Sequence, residues 1–243
     1  MLMSVIEGAL SAPAYPELAG KRVLITGLTS RCGVDIARGF AEHKGRLVLQ
    51  FAEDSTAMET VAEIVAPDAL EAKAYGPIGT VTDDVVQFAK TAIGAFCGLD
   101  VVINLVPLDA GRLGPLADLA EIERVIAERM VLPFILSKIA ANRMSVTWTD
   151  GLILNIATLN GPAKGARQAF ASVARTGLVA MTRAQAEEWA GRAIRFNAIA
   201  PQTSLVPTEP GLCGEPDIAA LALYLASGRG KTLSGCVFEA QMH

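Results

Sequence analysis

The sequence predicts an α/β fold: a single doubly wound domain with a parallel sheet of about seven strands. Two observations carry this expectation. Short runs rich in Val, Ile and Leu alternate with helical patterns from Arg22 to Glu239. Hydrophobic residues make up 51% of the chain while aromatics make up 5%, so Ala, Val, Ile and Leu must build the core. That composition suits a sheet covered by helices on both faces. A length of 243 residues fits one large domain.

Arg22 to Thr26 reads as a buried strand, and Cys32 to Glu42 as a helix that starts straight after a turn. Arg46 to Phe51 is a second strand, Ala57 to Ala66 a second helix, and Glu71 to Tyr75 a weaker third strand. Asp83 to Phe96 reads as a helix whose two leading acids favour its N-terminus. Leu99 to Leu105 is a fourth strand. A long helical stretch over about Leu116 to Arg143 follows, with a bend expected at Pro133. Gly151 to Ile156, Ile194 to Ile199 and Cys236 to Glu239 complete the strands. Helices over Gln168 to Ala190 and Asp217 to Ala226 separate them. The strand–helix–strand rhythm implies parallel pairing. Residues 1–20 read as an N-terminal arm and 21–243 as the domain.

Composition excludes several function classes. Twenty-one basic against 25 acidic residues give a net charge of −4, with no basic patch for nucleic acid or a membrane surface. Cys32, Cys97, Cys213 and Cys236 are too scattered for a metal knuckle and read as buried free thiols. With only His43 and His243, a histidine metal site or a Ser-His-Asp triad is not expected. The N-terminal segment lacks a basic start and a continuous apolar run, and no apolar stretch is long enough to span a bilayer. The expectation is a soluble cytoplasmic protein.

Five motifs occur in a fixed order. Thr26-Gly27-Leu28-Thr29-Ser30-Arg31-Cys32-Gly33 resembles the T-G-x-x-x-G-x-G turn of the short-chain dehydrogenase/reductase family. Leu99 to Asn104 resembles that family's L-D-V-L-V-N strand, and Gly151 to Ile156 its G-S-I-V-N-I strand. Ile194 to Pro201 resembles I-R-V-N-A-V-A-P, and Gly214 to Ala219 resembles G-E-P-E-D-I-A. The resemblance covers Lys21 to Glu239. It implies a Rossmann-type domain that binds NAD or NADP. It also implies a Tyr that exchanges the proton and a Lys four residues on that lowers its pKa. A Ser that polarises the carbonyl and an Asn in a proton relay complete the family's set.

Residue by residue, this sequence departs from that set. Gly177 to Arg183 resembles the family's G-L-V-A-L-T-R and fixes the register. The Tyr position then holds Ala171, the Lys position Arg175, and the Ser position Thr158. Aligning Leu132-Pro133-Phe134 with G-P-F puts Arg129 at the Asn position. A methyl group neither donates nor accepts a proton. The only tyrosines are Tyr15, Tyr75 and Tyr224, so no register shift recovers one. Loss of the general acid/base alone removes a factor of roughly 10²–10⁴ in rate. Arg175 keeps a charge, but its fixed guanidinium fork is no copy of an ammonium.

The cofactor turn departs too. Thr26, Gly27 and Gly33 remain, but Arg31 replaces the middle glycine. That side chain either blocks the phosphate site or swings out to pair with a phosphate. Ala52 falls near the position of the ribose acid, with Glu53 beside it. Asn104-Leu105-Val106-Pro107 replaces N-N-A-G. Only Thr203 to Pro216 stands where the family builds a substrate lid, about half the usual length.

Strand and helix patterns are kept while chemistry-bearing positions are lost, which implies a pseudoenzyme. The catalytic set is expected to be vacant at Arg129, Thr158, Ala171 and Arg175. The turn at Thr26, Gly27, Arg31, Gly33 and Asn104 is expected to be a vestige that binds no cofactor. The resemblance implies an intact paralogue as partner, in a heterotetramer whose NAD sits in the partner subunit and whose substrate is a β-hydroxyacyl-CoA. Small residues along the second long helix (Ala169, Ala171, Ser172, Ala174, Gly177, Ala180, Ala184) suit a close helix–helix interface, or packing on the chain's own sheet. Two alternatives stay open. One is a regulatory protein that holds a nucleotide or acyl ligand through Arg31, Arg129 and Arg175. The other is an atypical active oxidoreductase using Thr158 and Arg175. Asp83 and Asp84 read as a helix cap, Glu187 and Glu188 with Arg183 and Arg192 as a solvated face, and Trp148 and Trp189 as packing residues.

Overall fold

The computed structural model describes residues 14–29, 32–52, 56–79, 81–108, 120, 124–125, 127–158, 166–200 and 215–239. Seven strands form one sheet: β1 (Arg22–Leu28), β2 (Arg46–Phe51), β3 (Glu71–Tyr75), β4 (Val101–Pro107), β5 (Gly151–Thr158), β6 (Ile194–Ile199) and β7 (Val237–Phe238). Six α-helices lie between them among the described residues: α1 (Val34–Glu42), α2 (Thr56–Val65), α3 (Thr82–Ala95), α4 (Leu132–Val146), α5 (Ala166–Trp189) and α6 (Glu215–Ala226). The sheet order is β3-β2-β1-β4-β5-β6-β7, and every pairing is parallel. The doubly wound parallel sheet expected from the sequence is therefore the observed fold.

Alternation along each strand divides the core into two faces. Val23, Ile25, Leu47, Leu49, Ile103 and Leu154 pack with Ile36 and Phe40 of α1 and with Ala222 of α6. Leu24, Val48, Val102, Ile153 and Phe196 face the other way, onto Ala89 of α3, Ala140 and Met144 of α4, and Trp189 of α5. A sheet buried on both faces has no polar stripe, which is why the strands read as continuous apolar runs.

Local chemistry fixes the element ends. β4 begins at Val101, two residues later than the sequence suggests. Cys97 (φ +60°) and Gly98 (φ +147°) turn the chain there, and the Asp100 carboxylate accepts from the backbone N–H of Arg22 at 2.9 Å. Ahead of α4, Ala127–Val131 forms a π-helical turn, and Pro133 occupies the first turn of α4. A proline ring removes its own N–H and crowds the carbonyl four residues back, so a widened turn in front of it relieves both. Of the helix expected over Leu116 to Arg143, residues 116–119, 121–123 and 126 lie outside the described residues. Before β1, Leu18 is wholly buried against the first face, and the Tyr15 ring stacks on His43 at 5.8 Å.

Candidate active site

In open α/β sheets, ligands bind beyond the carboxyl ends of the strands, where the strand order reverses. Here the chain winds outward from β1 to β3 and then crosses to β4, so the reversal lies between β1 and β4. The turn from β1 into α1 borders it. Gly27 (φ +77°) and Gly33 (φ +87°) both hold left-handed conformations. A Cβ on either would run into Leu105 of β4, so both glycines are required by backbone geometry and by close packing on that strand.

The amides of this turn already have partners within the chain. Gly27 N–H donates to Gln50 Oε1 at 2.9 Å, and the Gln50 amide in turn donates to the carbonyl of Phe51. Thr29 and Cys32 exchange backbone hydrogen bonds, at 3.1 Å from Thr29 N and 3.4 Å from Cys32 N. In the first turn of α1, Asp35 N–H donates to Glu215 Oε1 at 2.8 Å. A dinucleotide's pyrophosphate needs such N–H groups unspent at a helix N-terminus. Among the described residues, the amides of Gly27, Thr29, Cys32 and Asp35 are paired within the chain. Arg31 and Glu53 lie outside the described residues, as does most of the short segment in the lid position.

Burial shifts two titratable groups at this end. Burial pushes the Glu215 carboxyl above the usual carboxylate range, and the nearby Asp35 charge pushes it further. Amide hydrogen bonds at Asp35, Gly33 and Ile36 pull it back only in part. Burial, with the Glu215 charge behind it, pushes the Cys32 thiol up to about 12, so it stays protonated.

The four positions of the lost catalytic set are placed separately. Ala171 is wholly buried in an apolar cluster with Val106, Leu108, Ala157, Ala174, Leu178 and Ala200. Those residues come from the carboxyl ends of β4, β5 and β6 and from α5. Thr158 ends β5, is buried, and its carbonyl accepts from Leu108 N–H at 2.8 Å. Arg175 is turned toward the sheet's end: its Nη2 donates to Glu239 Oε1 at 2.8 Å and to the Ala200 carbonyl at 3.3 Å. Arg129 lies half-buried in the π-helical turn and has interactions of its own.

Asn104 belongs to a different arrangement. Thr26, Asn104 and Asn155 stand opposite one another on β1, β4 and β5. Thr26 Oγ1 donates to Asn104 Oδ1 at 3.1 Å, and Asn104 Nδ2 donates to Ser137 Oγ and to Asn155 Oδ1, both at 2.9 Å. Asn155 Nδ2 then donates to Thr182 Oγ1 at 3.1 Å. All five side chains are buried. The chain of bonds ties three strands to α4 and α5 and leaves each amide satisfied.

Sequence reasoning missed Glu215, read only as part of a motif, and Gln50, read only as the lack of an acid. Other expectations need correction. Asp83 and Asp84 sit in the first turn of α3, after Val81 at the cap position. Trp148 is 90% exposed, so it is no packing residue, whereas Trp189 is buried. Arg183, Glu187, Glu188 and Arg192 are exposed, as a solvated face requires, and Glu188 also pairs with Lys138 across α4 and α5 at 3.8 Å. Cys32 is buried and free, but Cys97 is exposed and Cys236 half-buried. Among the described residues there is no group of three or more potential metal ligands, and no helix long and apolar enough to cross a membrane.

Comparison with known proteins places this geometry. Residues 21–209 match the family model for short chain dehydrogenase. The chain is 30% identical to momilactone A synthase of Oryza sativa subsp. japonica, over 90% of this chain and 88% of that protein. It is also 30% identical to galactitol 2-dehydrogenase (L-tagatose-forming) of Cereibacter sphaeroides, over 91% and 93%. Among solved structures, a putative oxidoreductase from Escherichia coli K-12 superposes with a TM-score of 0.77 at 19% identity, covering 91% of this chain and 95% of that one. A short chain dehydrogenase from Burkholderia cenocepacia J2315, solved in complex with NADP, gives a TM-score of 0.74 at 20% identity, covering 92% and 97%. With a family model matched over most of its length, the chain belongs to the short-chain dehydrogenase family of oxidoreductases.

Proposed function

We propose that this chain is the non-catalytic subunit of a hetero-oligomeric, NAD-dependent short-chain dehydrogenase. An intact paralogue carries the NAD and the chemistry, and this chain binds no cofactor. The single observation behind the reading is Ala171, a buried methyl in an apolar cluster where family members use a tyrosine hydroxyl. Hydride transfer from an alcohol needs a group that takes the hydroxyl proton, and nothing at this position does so. The internal partners of Gly27, Cys32 and Asp35 support the absence of a nucleotide.

An outward face of α5 supports the partner. Ala169, Val173, Thr176, Ala180 and Ala184 are exposed and follow one another at helical spacing, with Val173 72% exposed. Small side chains let two helices approach closely, and a valine left in water is unfavourable until covered. The partner is an intact paralogue in a heterotetramer, the complex is cytoplasmic, and its substrate is a β-hydroxyacyl-CoA oxidised to a β-oxoacyl-CoA. The pattern of lost residues resembles the inactive subunit of the 2-(hydroxybenzyl)succinyl-CoA dehydrogenase of anaerobic toluene degradation.

Co-expression with the nearest intact paralogue, native mass spectrometry and NAD titration test the reading. A stable mixed oligomer with one NAD per partner chain is expected. A homo-oligomer with one NAD(P) on every copy of this chain overturns it.

A further inference from the structure

Two large apolar side chains stand in water at the entry end of β5, opposite the candidate active site. Val146 closes α4 and is 73% exposed, and Trp148, two residues on, is 90% exposed. The backbone between them is a regular helix stop. Thr149 N–H donates to the Met144 carbonyl at 2.9 Å, and Trp148 N–H to the Ser145 carbonyl at 3.3 Å. That pair of bonds puts Trp148, at φ +52°, in the left-handed position just past the helix cap. Glycine suits this position because it has no Cβ, and any other side chain costs free energy there. Burial does not offset that cost, because the indole lies in water. The fold gives no reason for a tryptophan at this turn, and strain kept without one marks a functional position.

Positive charge borders the pair. Gly151 N–H donates to the Ala193 carbonyl at 3.1 Å, which brings the turn before β6 beside the turn that carries Trp148. Arg143, in the last turn of α4, and Arg192, in that neighbouring turn, are both exposed. Neither guanidinium forms an ion pair among the described residues. The nearby acids are already matched: Asp150 by Lys231 at 3.3 Å, and Glu188 by Lys138 at 3.8 Å. The patch is thus apolar at its centre and positive at its edge, on a chain whose net charge is −4. Tryptophan and arginine are enriched among the residues that dominate binding at protein interfaces. An anionic membrane surface calls for a larger cluster of cations than two. A symmetric pair of copies would set one positive edge against another. We propose that Val146 and Trp148, edged by Arg143 and Arg192, form a docking face for a short acidic segment of another protein. An apolar side chain of that segment covers the indole, and its carboxylates meet the two guanidiniums.

The test uses the full-length chain and a short fluorescein-labelled peptide of Glu and Leu, with a peptide of Lys and Leu as control. Anisotropy measures binding. Indole emission of the wild type follows Trp148, since the chain's other tryptophan, Trp189, is buried. The expected result is saturable binding of the Glu peptide alone, a blue shift of the emission, and affinity that falls as salt rises. Trp148→Gly and the double variant Arg143→Gln/Arg192→Gln each weaken binding by roughly tenfold or more. Trp148→Gly melts no lower than wild type, because glycine fits the turn. No binding, equal binding of both peptides, or binding unchanged by these substitutions overturns the proposal. A Trp148→Gly chain that melts well below wild type gives the indole a structural role and overturns it too. So does a blue shift produced by self-association at rising protein concentration, or by vesicles of phosphatidylserine and phosphatidylcholine, where the Glu peptide produces none.

Discussion

Arg22 and Asp100 clamp the entry ends of β1 and β4. Asp100 Oδ2 accepts from the Arg22 backbone N–H at 2.9 Å and from Nε at 2.8 Å, while Nη2 donates to Oδ1 at 2.9 Å. Both side chains are mostly covered, which reduces screening by solvent. Burial pushes the Asp100 carboxyl up, but the hydrogen bonds and charge of Arg22 outweigh it and hold the group below its ordinary value. The folded chain therefore stays deprotonated where the unfolded chain has begun to take up a proton. The stabilisation is full above the ordinary aspartate value of about 3.9 and is lost as pH falls through the lower folded value. Asp100→Ala is expected to cost about 2 kcal/mol at neutral pH, the size of a charge-assisted hydrogen bond. The difference from wild type should shrink in acid. Denaturant titrations at pH 7 and at pH 3 check this, and a difference that grows in acid contradicts the assigned sign.

Asn104 anchors the chain of buried amides and hydroxyls that runs from Thr26 to Thr182. Asn104→Ala takes the acceptor from Thr26 and the donor from both Ser137 and Asn155. A buried polar group left alone costs about 1–3 kcal/mol, and hydroxyls recover part by rotating. The expected loss is therefore about 2–4 kcal/mol, against about 1 kcal/mol for Ser137→Ala, which removes one link. Chemical denaturation of the two variants measures both. A loss below that of Ser137→Ala would show that Asn104 does not hold the network together.

Much of the fold was legible because strands buried on both faces are written as apolar runs. Arg46–Phe51, Glu71–Tyr75 and Ile194–Ile199 begin and end where their runs do. The loss of the tyrosine was equally plain, since a residue type absent from a stretch of chain cannot be restored by folding. The partners of the turn amides were not legible. Glu215 reaches Asp35 only because α6 lies beside α1, and no local pattern encodes a contact between residues so far apart in sequence. Trp148 misled for a related reason. Indole size argues for burial, but its place just beyond the end of α4, at φ +52°, turns it outward.

Restoring the family's residue types at Ala171 and Arg175 should not restore chemistry. Ala171 touches no water and is surrounded by Val106, Leu108, Ala174, Leu178 and Ala200. A phenol ring placed there must push strand-end side chains aside, and overpacking of that kind costs about 1–3 kcal/mol. In a domain of this size that lowers the melting midpoint by roughly 2–12 °C, at about 2–4 °C per kcal/mol. Arg175→Lys also releases Glu239, whose carboxylate accepts from the guanidinium at 2.8 Å. The turn amides keep their internal acceptors in the double variant, and on the proposed reading this chain holds no nicotinamide for the new hydroxyl to meet. The expected outcome for Ala171→Tyr/Arg175→Lys is a lower melting midpoint and no NAD- or NADP-dependent oxidation of β-hydroxyacyl-CoA above the wild-type background. Turnover by this variant at wild-type stability would mean that the cluster around Ala171 is an emptied site rather than a filled one, and that two substitutions alone separate this chain from an active dehydrogenase.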